Sequence, residues 1–347
     1  MKKINTAICS FGMSGRVFHA PFINNHPGFN FYAVLERSKN LAREKYPDVK
    51  VFRTLEEMLS DEAVELVVVN TPNKTHYDYT KQALLAGKHV ICEKPFTVTV
   101  AEAEELIELA ASKGVKLSVF QNRRYDSDYK TIKSVVDQKL LGDIVEAELH
   151  FDRFKEELSP KLHKEIPGEG TGVLYDLGSH LIDQAFQLFG KPSAVFADIV
   201  AMRTISLVDD YFELILYYSS FRVRIKASYL VREALPGYVL HGTKGSFIKP
   251  KTDVQEIQLQ AGKLPTDIDY GIEPETEKGL LHTEVNGKLI KEYLPSFNGN
   301  YMDYYDAIYQ SINNNAALPV SAEEGKNVIQ IIEAAFKSNN EKKVIDL

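Results

Sequence analysis

Residues 4–15 read Ile4-Asn5-Thr6-Ala7-Ile8-Cys9-Ser10-Phe11-Gly12-Met13-Ser14-Gly15. An apolar run ends in a short turn with two glycines, and residues 14–25 continue with helical patterning. Such a turn aims the unpaired N–H groups at the start of the helix toward whatever lies over it. Gly12 allows close approach of a ligand, and Gly15 allows the helix to pack tightly on the strand. Ser10 stands where the dinucleotide fingerprint usually carries its first glycine. A carboxylate, Glu36, ends the next apolar run 21 positions after Gly15, close to where a ribose-binding acid belongs. The stretch therefore predicts a dinucleotide pyrophosphate held by Ser10, Gly12, Met13, Ser14, Gly15 and Arg16.

Working outward, strand and helix patterns alternate through the first 120 residues. Strands are expected at 4–10, 29–35, 64–69, 89–92 and 115–120, and helices at 14–25, 39–46, 75–86 and 101–112. Thr54 and Glu57 have the spacing of a helix-opening capping box. Short apolar strands alternating with helices predict a doubly wound parallel sheet. After about residue 125 the pattern becomes helix, long alternating strands, then two closing helices. Helices are expected at 125–139, 174–189, 301–313 and 322–338, and strands at 144–154, 194–202, 211–218, 221–229 and 238–241. Residues 250–298 look irregular. The fold class is α/β: an N-terminal Rossmann sheet, residues 1–122, plus a C-terminal α+β domain, residues 123–347, with a large, open and mainly antiparallel sheet. The C-terminal helix is expected to pack back on the first domain. Tyr301, Tyr304, Tyr305 and Tyr309 are expected to pack a helix.

With 347 residues the chain can bury two cores. Composition is ordinary, 44% hydrophobic and 26% charged, and the net charge is −7. No basic stripe suggests nucleic acid, and no apolar run is long enough for a membrane helix. Cys9 and Cys92 lack metal-ligand spacing and read as small buried hydrophobes, so no metal is expected and a reducing cytoplasm fits.

Further polar clusters fall at the carboxyl ends of strands, where open α/β sheets bind ligands. They are Thr71-Pro72-Asn73-Lys74-Thr75-His76, Glu93-Lys94-Pro95 and Gln121-Asn122-Arg123-Arg124-Tyr125. Later, Asp176 and His180 lie four apart on one helix and share a face. At the ribose position the signals conflict. Glu36 suits a free 2′-hydroxyl, as in NAD, whereas Arg37 and Ser38 suit a 2′-phosphate, as in NADP. The residues alone leave both open.

Together these motifs resemble the Gfo/Idh/MocA oxidoreductase family along essentially the whole chain. The glycine loop, Glu93-Lys94-Pro95 and the Asp176 to His180 spacing carry the resemblance. Gly15-Arg16-Val17-Phe18-His19-Ala20-Pro21, Asn122-Arg123-Arg124, Phe151-Asp152-Arg153-Phe154 and Tyr175-Asp176-Leu177-Gly178-Ser179-His180 resemble one branch of it, which includes an NADP-dependent scyllo-inositol 2-dehydrogenase. The resemblance implies NADP, with NAD as the alternative, and hydride transfer at a secondary alcohol of a polyol or sugar. It implies Lys94, Asp176 and His180 as the catalytic group, with the proton moved by His180 or Lys94. An unperturbed imidazole titrates near neutrality, which suits a general base. Thr71, Pro72, Asn73, His76, Glu93, Lys94 and Asn122 join the cofactor set with Glu36, Arg37 and Ser38. Arg124, Tyr125, Arg153 and Tyr175 join Asp176 and His180 around the substrate. His19 reads equally as a packing residue. A homodimer or homotetramer through the open C-terminal sheet is expected. The competing functions are transient nicotinamide chemistry in sugar elimination or hydrolysis, and a non-enzymatic sensor.

Overall fold

The computed structural model describes residues 2–161, 164–252 and 254–347. The chain divides into two compact units. The first comprises Met1–Asn122, Gln255–Tyr270 and Asn300–Lys326; the second comprises Arg123–Val254, Gly271–Gly299 and Asn327–Leu347. A single boundary after residue 122 therefore does not describe how the chain is shared, because two later segments return to the first unit.

In the first unit, β1 (Ile4–Ile8), β2 (Phe29–Leu35), β3 (Lys50–Phe52), β4 (Leu66–Val69), β5 (His89–Glu93) and β6 (Leu117–Phe120) form one parallel sheet. Its order is β3-β2-β1-β4-β5-β6. Every residue of β4 and β6 is buried, as strands covered on both faces must be. The connecting helices are α1 (Ala20–Asn25), α2 (Leu41–Lys45), α3 (Leu55–Ser60), α4 (His76–Leu85) and α5 (Val100–Lys113). Thr54 and Glu57 form the expected capping box at α3. Thr99 and Glu102 repeat it at α5, a pair the sequence reading passed over. The strand order reverses between β1 and β4, so their carboxyl ends flank the switch-point crevice.

The returning segments are held by aromatic packing. Tyr301, Tyr304 and Tyr305 are fully buried. Tyr305 stacks on Phe22 at 5.5 Å between ring centroids, and Tyr304 meets Phe120 edge-on at 4.9 Å. These tyrosines sit at the start of α9 (Met302–Asn314), which follows α8 (Val254–Gln260) and precedes α10 (Ala322–Glu341). Only the first turn of α10 belongs to the first unit. There a Cβ on Gly325 would lie 2.7 Å from a Val119 methyl.

The second unit contains α6 (Ser127–Asp137), α7 (Ser179–Phe189) and a nine-stranded sheet. Its strands are β7 (Ile144–His150), β8 (Ala194–Val200), β9 (Tyr211–Tyr217), β10 (Arg222–Ser228), β11 (Tyr238–Gly242), β12 (Gly245–Lys249), β13 (Gly279–Val285), β14 (Lys288–Leu294) and β15 (Ile345–Asp346). The order is β14-β13-β12-β11-β7-β10-β9-β8-β15. All neighbours are antiparallel except β7 and β10, which run parallel. One face buries Phe212, Leu214, Val223, Ile225 and Leu240. On the other, Phe196, Ile215, Val239, Ile248 and Leu280 stay half-buried and Tyr293 is 66% exposed.

The irregular reading of 250–298 is overturned, since α8, β13 and β14 lie there. Asn286 and Gly287 join β13 to β14 with φ of 52° and 75°. Two consecutive positive-φ residues make the turn whose twist matches a hairpin, and the Asn-Gly pair was its unread signal. Both cysteines are buried and free, as the sequence implied, and burial pushes the Cys92 thiol up to about 12. Among the described residues no helix is long and apolar enough to cross a membrane.

Candidate functional site

The turn after β1 is built by side chains as much as by glycines. The Gly12 N–H donates to Ser10 Oγ at 3.3 Å, so the serine closes the turn itself. Asn70, at the end of β4, donates from Nδ2 to the Ser10 carbonyl at 2.8 Å and ties the two strand ends together. A Cβ on Gly15 would lie 2.2 Å from that same carbonyl oxygen. Gly15 is therefore demanded by packing. Gly12 differs, since its Cβ would meet only Ser10 Oγ at 3.4 Å, leaving its outer side clear. The helix then runs through a π-turn, Gly15–His19, into α1.

A cavity of about 650 Å³ opens over this turn. Its lining includes Ser10, Gly12, Arg16, Glu36, Arg37, Ser38, Thr71 and Pro72, half of the residues expected to hold a cofactor. A clear backbone face, a helix start and this volume fit a dinucleotide. Phe11, Leu35, Lys39, Leu41 and Tyr79 also line it, and the sequence reading selected none of them.

Glu36, expected at the ribose, lines the cavity and also caps α2. Its two carboxylate oxygens accept the N–H groups of Leu41 (3.1 Å) and Ala42 (3.0 Å), the first amides of α2. The side chain is buried at that helix start, where a carboxylate is stabilised by the orphan donors and the helix dipole. Arg53, unpredicted, braces the same loop through the carbonyls of Glu36 (2.7 Å) and Lys39 (2.6 Å) and through Asn40 Oδ1 (2.6 Å). Arg37 and Ser38 remain exposed on the braced loop. The Arg37 guanidinium contacts the Tyr79 hydroxyl at 3.4 Å.

Glu93 is the hub on the other side of the turn. Oε1 accepts a short bond from the Ser14 hydroxyl and faces His19 Nε2 at 3.0 Å, while Oε2 accepts the Lys94 N–H at 3.2 Å. The other His19 nitrogen lies 2.7 Å from the Tyr305 hydroxyl, which also reaches the Phe18 carbonyl at 3.1 Å. Burial alone would raise the Glu93 carboxyl. The bonds from His19 and Ser14 and the charges of His19 and Lys94 prevail and hold it at about 2. His19, which sequence reading left as a packing candidate, is thus fully buried and bonded through both ring nitrogens. His76 is corrected the other way. It is buried between two loops, its nitrogens 2.8 Å from the Pro95 carbonyl and 2.9 Å from the Thr71 carbonyl, and the single N–H of the neutral ring donates to one of them. Burial pulls its pKa down. Asn73 lies in a one-turn 3₁₀ segment and is half-buried, and Asn122 is buried at the start of another.

In the second unit, Asp176 lies in a π-turn, Leu174–Gly178, that leads directly into α7 and His180. The regular α-helical spacing assumed for this pair therefore has a widened first turn. Asp176 pairs with Lys164 at 2.8 Å. His180 is buried. A Cβ on Gly178 would press to 2.7 Å from Leu174 and 3.2 Å from Phe212, so the glycine lets this helix lie close on β9. Two residues expected at the substrate make these contacts within the unit. Arg124 grips Asp183 through Nε (2.8 Å) and Nη2 (2.6 Å) in a buried fork, and Tyr175 stacks on Phe336 at 5.8 Å. Arg153 lies 5.0 Å from the centre of the Phe151 ring, and Tyr125 is half-buried.

Residues 4–121 match the oxidoreductase family's NAD-binding Rossmann fold, and residues 133–347 match its C-terminal alpha/beta domain. The chain belongs to the Gfo/Idh/MocA family of oxidoreductases. It is 41% identical over 344 residues to the scyllo-inositol 2-dehydrogenase (NADP(+)) IolW of Bacillus subtilis, covering 99% of this chain and 96% of that protein. It is 37% identical to the uncharacterized oxidoreductase YdgJ of Escherichia coli, covering 96% of each. Among solved structures, the oxidoreductase yvaA of Bacillus subtilis superposes with a TM-score of 0.96 at 41% identity, covering 100% of this chain and 99% of that one. One from Bacteroides fragilis superposes at 0.92 with 46% identity and complete coverage of both.

Gly15→Ala forces a methyl into the Ser10 carbonyl. It should weaken dinucleotide binding at least about tenfold in a fluorescence titration, with the circular dichroism spectrum kept. The folded Glu93 carboxyl sits near 2 against an ordinary 4.5. Its contribution is complete above about pH 4.5 and fades as pH falls toward 2, amounting to at most about 3 kcal/mol. Thermal midpoints across that window should fall more steeply for the wild type than for Glu93→Gln.

Proposed function

We propose that this protein is an NADP-preferring dehydrogenase that moves a hydride between nicotinamide and a secondary alcohol of an inositol-like polyol or sugar. The observation that carries the reading is Glu93, which binds the phosphate-loop helix at Ser14 and the backbone of Lys94 with one carboxylate. A cofactor cradle and a cationic side chain are thereby tied to one anchor, as hydride transfer from an alcohol needs. The substrate class is supported by the 41%-identical relative that bears an inositol dehydrogenase name.

Bound nicotinamide supplies the hydride acceptor or donor. Lys94 would orient the reacting hydroxyl, His180 or the neutral amine form of Lys94 would take its proton, and Asp176 would bind a neighbouring hydroxyl. The choice of NADP follows from Glu36, whose carboxylate is spent on α2. Arg37 and Ser38 are then the exposed groups offered to a 2′-phosphate. The protein works in the cytoplasm, which suits its two buried free thiols.

The open face of the nine-stranded sheet takes a second copy of the chain, giving a homodimer or homotetramer. Support comes from the half-buried Phe196, Ile215, Val239 and Ile248 beside an Arg224–Glu148 pair at 3.1 Å. Mixed apolar and paired charged groups can be self-complementary across a two-fold axis. Ile215→Glu should lower the mass found by sedimentation, and an unchanged mass would reject this face.

The activity test offers scyllo-inositol, myo-inositol and aldoses with NADP or NAD and follows the reduced cofactor. Turnover should favour NADP and drop by about a hundredfold or more in Lys94→Ala. Arg37→Ala should raise KM for NADP about tenfold and leave that for NAD unchanged. No turnover with any polyol or sugar, or full activity without Lys94, would overturn the reading.

A further inference from the structure

The π-turn that carries Asp176 is clamped from outside its own helix. The Val173 N–H donates to the main-chain carbonyl of Asp209 at 2.9 Å. The Leu174 N–H donates to the Asp209 carboxylate, also at 2.9 Å. The Asp176 N–H donates to the carbonyl of Gly172 at 3.1 Å. Gly172 makes this arrangement possible twice over. Its φ is +93°, and a Cβ there would lie 1.9 Å from Asp209 Oδ1. Any side chain at 172 would expel the carboxylate.

The segment that presents Asp209 is itself fixed. Its neighbour Asp210 is fully buried. It receives Arg203 Nε at 2.8 Å and the N–H groups of Met202 (2.6 Å) and Arg203 (3.1 Å). Arg203 goes on to Glu165 at 3.0 Å and the Glu157 carbonyl at 2.9 Å. Asp209 thus reaches the π-turn from an anchored base.

The group is retained at a thermodynamic cost. Burial raises the Asp209 carboxyl from 3.8 to about 6, with the Leu174 and other backbone bonds offsetting only part of that and Asp210 adding to it. A carboxyl raised in the fold opposes folding once pH exceeds its unfolded value, increasingly up to the folded one. A neutral amide could accept the same Leu174 bond without that penalty. Stability alone does not account for a carboxylate here, whereas residues that shape a site often cost stability.

We propose that Asp209 is a positioning residue, admitted by Gly172, that sets the turn bearing Asp176 and thereby the start of the helix that presents His180. The inference rests on the proposed roles of those two residues. Asp209 itself touches no reacting atom in this scheme.

The test compares wild type, Asp209→Ala, Asp209→Asn and Gly172→Ala by hydrogen exchange of peptides spanning residues 173–182, alongside steady-state kinetics. In Asp209→Ala the exchange of these amides should accelerate about tenfold or more. Its kcat should fall about tenfold or more, while KM for the dinucleotide stays within about twofold. Gly172→Ala should behave alike. Asp209→Asn keeps an acceptor for Leu174. It should hold exchange and kcat within about threefold of wild type and raise the thermal midpoint at neutral pH. Unchanged exchange or unchanged kcat in a folded Asp209→Ala would overturn the proposal, as would an equal kcat loss in the Asn and Ala variants. If the wild type turns over no polyol or sugar, the functional reading fails, and the exchange data still decide the clamp. Should Asp209→Ala not fold, the Asn and Gly172→Ala variants decide it.

Discussion

The carboxylate of Glu93 is the constraint around which the first unit is arranged. A buried carboxylate must be matched by donors or it will not stay ionised. Glu93 finds Ser14 and His19 on the glycine-turn helix and the Lys94 amide on its own loop. The donors come from two parts of the chain, so satisfying one charge sets the distance between the turn and the lysine-bearing loop. The demand also propagates outward. His19 can serve Glu93 only with its second nitrogen matched, and the partner is Tyr305 of α9. The return of residues 300–326 to the first unit is, at this point, a hydrogen-bonding requirement as well as an aromatic one.

Glu36 shows how little residue type reveals before geometry is known. In sequence it sits where a ribose-binding acid would. In space its neighbours are the first amides of α2, and a carboxylate beside unpaired N–H groups saves more than one waiting in solvent. Arg53, 17 positions later, then seals the loop through two of its carbonyls. What remains outward is Arg37 and Ser38. What the ribose-end loop leaves exposed is therefore set by a helix cap.

The alternation of strand and helix was legible because it follows from hydrophobic period, a property each segment carries alone. The capping box of α3 was legible for the same reason. The hairpin at Asn286-Gly287 was equally local, yet its flanks are largely exposed, so no apolar period drew attention to them. Candidate site residues were legible in kind, through the glycine turn, Glu93-Lys94 and Asp176 with His180. Their partners were not. Asn70, Arg53, Tyr305 and Asp209 act through contacts between distant segments, and nothing in their immediate neighbours marks them. Arg124 is the opposite case, a candidate whose partner Asp183 the sequence did not announce. It stands in a motif-rich stretch, but Asp183 offers a buried fork that no solvated role can match.

Two helices that carry candidate site residues begin with a π-turn, Gly15–His19 and Leu174–Gly178. Such turns are rare and often mark functional positions, and unfavourable backbone geometry persists only where its surroundings over-determine it. The two units meet that demand with the same ingredients. In each, a glycine removes a Cβ at the tightest contact, Gly15 against the Ser10 carbonyl and Gly172 against Asp209. In each, a half-buried carboxylate brought from another segment accepts hydrogen bonds from residues of the turn or its start, Glu93 from Ser14 and His19, and Asp209 from Leu174. The two carboxylates differ in how fully they are matched. Glu93 has imidazole and hydroxyl donors and is held at about 2, while Asp209 has backbone amides beside a second acid and rises to about 6. The Glu93 carboxylate therefore stays ionised over the range in which an enzyme works, and that of Asp209 titrates at its edge.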